Sequence, residues 1–178
     1  VCSICYYPMD PEDGGNICNT CNENSKEKTI RKKRKEEVVK MALDENGIII
    51  NSYDKQLPNS CGSKRRPDFV IYTGGCTIIL EIDEYAHKRG YEGTCEDTRM
   101  KELYFAFNAP DLKLLFIRYN PDSYEGPNMP THLRIRLLID EIKKYIDNDD
   151  QFEFESKLVV LYMFYEQNFK YKFLDPYH

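Results

Sequence analysis

The order of apolar and turn signals predicts an α/β domain, a mixed β-sheet flanked by helices, with a small cysteine-rich appendage at its N-terminus. Three observations carry that expectation. From residue 26 onward, short β-branched runs alternate with segments of helical period. A glycine turn joins two of those runs as a hairpin. Ahead of them, residues 1–25 are too poor in aliphatic side chains to build a core and hold two CxxC pairs.

A chain of 178 residues is long enough for one full α/β core plus a small appendage. Its composition, 41% hydrophobic and 31% charged, includes no apolar run that spans a bilayer, so no membrane association is expected. The opening Val1-Cys2-Ser3-Ile4-Cys5 lacks the charged and apolar regions of a secretory signal. Seven cysteines, an odd number, then fit an intracellular, reducing compartment (cytoplasm or nucleus) better than a disulfide framework. A net charge of -5 excludes a uniformly basic coat, so any nucleic-acid contact has to be local.

Residues 26–46 read as a helix, with Ser25 as N-cap, a late apolar face at Val38, Val39, Met41, Ala42 and Leu43, and a stop at Asn46-Gly47. Strand signals follow at Gly47-Ile48-Ile49-Ile50, at Pro67–Tyr72 and at Thr77–Asp83, the last two joined through Thr73-Gly74-Gly75. Met100, Leu103, Tyr104 and Phe107 recur at helical spacing within 96–107, and Asp111–Tyr119 reads as another buried strand. A loop with three prolines leads to a helix at about 131–147. The tail, 152–174, alternates apolar and polar residues and fits strand or helix. Its surroundings, 139–178, hold nine acids against five bases, which makes a poor DNA surface and leaves room for a packing or homodimer element.

Cys2-x2-Cys5 and Cys18-x2-Cys21 are separated by twelve residues. Zinc takes four thiolates in a tetrahedron, and each CxxC turn presents two of them on one side of the ion. Metal binding then supplies the folding free energy that this stretch lacks in apolar burial. All four positions are filled, so the predicted zinc ribbon, residues 1–25, is structural. Between Lys26 and Lys40, eight basic residues stand against three acidic ones. Arg31, Lys32, Lys33, Arg34 and Lys35 form a stripe that can track phosphates by charge alone, although such runs are more commonly solvated helix faces. Lys64, Arg65 and Arg66 form a second basic run, well placed to hold a scissile backbone.

The stretch from Arg66-Pro67-Asp68 to Glu81-Ile82-Asp83-Glu84-Tyr85-Ala86-His87 carries the chemistry. In a strand, Glu81 and Asp83 share one face while Leu80 and Ile82 share the other. Two carboxylates beside Asp68 of a neighbouring strand repel unless a cation lies among them. Mg²⁺ or Mn²⁺ suits such oxygen donors. Taken singly, each acid is more commonly a turn residue or a solvated sheet residue; the conjunction points to an active site.

Pro67-Asp68, a glycine turn and Glu81-x-Asp83 resemble the PD-(D/E)XK nuclease motif. The longer run through Glu84, His87, Glu96, Arg99, Leu103 and Leu115-Phe116-Ile117-Arg118 is similar to its very-short-patch-repair-like (Vsr-like) branch and to proteins of large DNA viruses. The resemblance covers about residues 35–120 and leaves 131–178 as a helical and aromatic C-terminal extension of a domain spanning 26–178. It implies a restriction-endonuclease-like mixed sheet, a metal held by Asp68, Glu81 and Asp83, and a helix acid at Glu37 (or Glu36). The implied activity is endonucleolytic hydrolysis of duplex or branched DNA. One position departs: Asp83 stands where the family has lysine. The resemblance implies that His87 takes over proton transfer and that Arg99 or Lys101 supplies positive charge. Two other readings stay open, a nuclease fold that binds nucleic acid without cutting it, and a zinc-ribbon adaptor that binds protein.

Overall fold

A computed structural model of the chain describes residues 28–55, 66–83, 94–107, 109, 111–122, 124, 126, 129–147 and 154–177, with the backbone alone for 28–34 and 94–95. Cys2, Cys5, Cys18 and Cys21, the cysteines of the expected zinc ribbon, lie outside the described residues with Lys64, Arg65 and His87, as do the side chains of Arg31, Lys32, Lys33 and Arg34.

Helix α1 spans Lys28–Glu45. It stops where the sequence predicts. Gly47 takes a φ of 70°, its N–H donates to the Asp44 carbonyl, and the Ile48 N–H reaches back to the Leu43 carbonyl at 3.0 Å. That pair of bonds is a Schellman motif, which needs a left-handed residue at the position Gly47 fills. The motif also accounts for a difference from expectation. Ile48 is buried beneath the helix end and Ile49 is exposed, so 48–50 is not a strand, and β1 is only Ser52–Tyr53.

Strands β2 (Phe69–Tyr72) and β3 (Thr77–Ile82) form the expected antiparallel hairpin, closed by the Thr73 N–H donating to the Cys76 carbonyl. Helix α2 (Thr94–Ala106) then crosses to β4 (Leu114–Tyr119), parallel to β3. Helix α3 (Thr131–Asp147) crosses to β5 (Leu158–Met163), parallel to β4, and β5 turns back antiparallel into β6 (Phe169–Leu174). The six strands lie in sequence order in one mixed sheet. The tail therefore forms a hairpin, β5–β6, that completes the sheet, and among the described residues of 131–178 only 131–147 is helical.

Strand periodicity sorts the core into two layers. Phe69, Ile71, Ile78, Leu80, Ile82, Leu115, Ile117, Val159 and Leu161 face α1 and α3, where Val39, Leu43, Leu138 and Ile142 cover them. Val70, Ile79, Leu114, Phe116, Leu158 and Val160 face α2, under Met100, Leu103 and Tyr104. Helices thus cover both faces, which is why β3, β4 and β5 are buried along their whole lengths. No helix among the described residues is long and apolar enough to cross a membrane.

Candidate active site at the carboxyl edge of the sheet

Parallel strands β3, β4 and β5 end at the same edge, the place where open α/β sheets present ligand-binding groups. Glu81 and Asp83 stand at the end of β3 on the α2 face, as their alternation with Leu80 and Ile82 predicts. Because β2 runs against β3, its entry residue Asp68 reaches the same edge. The Asp68 carboxylate accepts the Ile82 N–H at 2.7 Å.

Register brings in a cation from the next strand. Glu81 lies opposite Arg118, whose side chain is buried. Arg118 donates through Nε and Nη2 to the two Asp83 oxygens at 2.6 and 2.7 Å and through Nη1 to Glu96 at 2.5 Å. Tyr165, beyond β5, also donates to Asp83. Glu96 opens α2, with Arg99 one turn on and Met100 and Leu103 continuing the same helix face into the core. Arg99 donates to both oxygens of Glu81, each at 2.7 Å, and its Nη1 lies 3.8 Å from Glu96. The result is a chain of alternating charge: Glu81, Arg99, Glu96, Arg118, Asp83.

Burial pushes the Glu81 carboxyl up from its ordinary value, with Asp68 and Asp83 adding to the shift and Arg99 opposing it. Burial works to lower Arg118, but its bonds to Asp83 more than offset this and hold it above the ordinary arginine range. Among Asp68, Glu81, Asp83, Glu96, Arg99 and Arg118, carboxylates outnumber guanidiniums four to two.

The structure therefore brings Asp68, Glu81, Asp83 and Arg99 together at one edge of the sheet. What lies among the carboxylates is a pair of arginines. Among the described residues no group of three or more His, Cys, Asp or Glu is gathered to hold a metal ion. Glu36 and Glu37 sit near Tyr53 of β1, whose hydroxyl is pushed up by burial, then by the charge and hydrogen bond of Glu36, then by Glu37. Lys35 of the basic stripe pairs with Asp122, just past β4, and Arg66 is exposed. The sequence places Arg118 in the run that carries the resemblance without a role of its own, offers Tyr165 only as a base-stacking or core-edge tyrosine, and gives Asp122 and Arg134 no role. Arg134 of α3 donates to the carbonyls of Asn120, Pro121 and Asp122, fixing the loop that leaves β4. One signal for Arg118 was available: a lone charge inside the apolar run 114–119 demands a buried partner.

Compared with known proteins, the chain matches no family model, no curated protein and no solved structure.

Proposed function

We propose that the chain is a divalent-metal-dependent DNA endonuclease of restriction-endonuclease-like architecture and the PD-(D/E)XK, Vsr-like kind. A zinc ribbon on Cys2, Cys5, Cys18 and Cys21 and the basic runs 31–35 and 64–66 would seat the DNA. The observation that carries the reading is the convergence of Asp68, Glu81 and Asp83 with two arginines at the carboxyl edge of a mixed sheet.

The donor set suits Mg²⁺ or Mn²⁺. Such ions need only one or two carboxylates, completed by water and substrate phosphate. Asp68 and Glu81, on neighbouring strands, have that chemistry. A cation bound there supplies Lewis acidity to a phosphate and lowers the pKa of water. Asp83 has a different task. Two bonds to Arg118 and one from Tyr165 commit it to orienting that guanidinium, which in turn fixes Glu96. Arg99 is the cation of the pair with access to solvent, and it can face a phosphate. His87 carries the proton transfer.

Incubating purified protein with supercoiled plasmid and branched duplexes in Mg²⁺, Mn²⁺ or EDTA tests the reading. Metal-dependent cutting that is abolished in Asp68→Asn is expected. Intact DNA throughout, with salt-sensitive binding retained, would sink catalysis on these substrates. That result would favour the second reading, a nucleic-acid-binding module, for which the Asp83–Arg118 bond in place of the family lysine is the supporting observation.

A further inference from the structure

Resting on the metal reading above, we propose that Arg99 is the stand-in cation of the site. It holds Glu81 while no metal is bound and passes to Glu96 when a divalent cation takes the Glu81 carboxylate.

Both Glu81 oxygens are filled by Arg99 at 2.7 Å, so a metal can reach this buried carboxylate only by exchange. The Glu81 side chain is buried, and a buried carboxylate left without a partner is costly. One cation must therefore replace another. The two arginines differ in their freedom to move. The Arg118 side chain is 2% exposed and bonded by all three of its nitrogens. The Arg99 side chain is 24% exposed and, among the described residues, is bonded at short range to Glu81 alone.

Arg99 also has a destination. Glu96 lies on the same helix face, one turn earlier, only 3.8 Å from Nη1, and its side chain is 27% exposed. A rotation of the Arg99 side chain suffices, without movement of α2. Glu96 already carries Arg118, so it is held in place to receive the second guanidinium. The exchange leaves Glu81 with a cation beside it in both states and moves a guanidinium towards solvent, where a DNA phosphate can be met.

The test is Mn²⁺ binding by calorimetry, with thermal melts, on the full chain as wild type, Arg99→Gln and Asp68→Asn. Removing the competitor should tighten Mn²⁺ binding roughly tenfold in Arg99→Gln. The same variant should melt lower than wild type in EDTA and recover most of the loss in Mn²⁺. In wild type, Mg²⁺ titration should shift the Arg99 side-chain Nε resonance, a readout that needs no variant. Mn²⁺ binding lost in Asp68→Asn but indifferent to Arg99→Gln, with the Arg99 resonance unmoved by Mg²⁺, would overturn the exchange and leave the metal reading standing. No Mn²⁺ binding by wild type or Arg99→Gln would overturn both.

Discussion

Arg118 is the charged residue of a strand whose six positions are all buried, and its guanidinium is satisfied by Asp83 and Glu96. A buried pair of this kind gains little net stability, because desolvation offsets most of the attraction; removing one partner is what costs. Arg118→Met should therefore destabilise the fold by about 3–5 kcal/mol, since Asp83 and Glu96 would keep their charges without the guanidinium. Urea unfolding measures this. Adding Asp83→Asn to Arg118→Met should cost less than the two single changes summed, because the second change removes a charge that the first had stranded. Strict additivity would mean that the pair is not coupled, and would weaken its assignment as the orienting device of the site.

At the scale of elements, legibility follows the range of the interaction that builds each one. Local chemistry writes the β2–β3 hairpin, the α3 period and the α1 stop into adjacent residues. The Gly47 stop has a direct test. A Cβ there would meet no atom within 4 Å, so the penalty in Gly47→Ala is conformational, about 1–2 kcal/mol for forcing φ near 70° on an L side chain. Gly47→Asn should lose less, since Asn tolerates that region better, and thermal melts of the two variants would rank them. Other elements were not legible for physical reasons. Strand β5 is buried on both faces, which erases the two-residue alternation and leaves Leu158–Met163 looking like any apolar run. Ile48-Ile49-Ile50 has strand composition, yet Ile48 is drawn into the helix cap. At the site, Glu81 and Asp83 are readable from alternation along β3. Their pairing with arginines is not, because Arg118 meets Asp83 only through the β3–β4 register, and Arg99, named by the resemblance only as a source of positive charge, meets Glu81 only through the way α2 lies on the sheet.

The order β1 to β6 across one sheet decides how the molecule depends on its C-terminus. Were 131–178 a mere extension, a chain ending near residue 120 would keep a core. The sheet argues otherwise. β5 pairs with β4 along its full length, and Val159, Leu161 and Met163 sit in the same apolar layer as Leu80, Ile117 and Leu43. On the opposite face, Leu158 and Val160 lie beside Phe116 under α2. β6 is tied in as well: its Lys172 pairs with Asp97 in the first turn of α2 at 2.6 Å, and its Tyr171 donates to Glu141 of α3 at 2.9 Å. Ending the chain after Asp147 would strip β4 of one hydrogen-bonding partner and expose apolar surface in both layers at once. Each fully buried aliphatic side chain left exposed costs roughly 1.5–3 kcal/mol, and β5 supplies several, against a total stability of about 5–15 kcal/mol. The truncated chain should therefore show no cooperative unfolding transition by circular dichroism, with or without Mn²⁺. A sharp, wild-type-like transition in that truncation would instead make residues 28–147 a self-sufficient unit, with β5 and β6 as a dispensable addition.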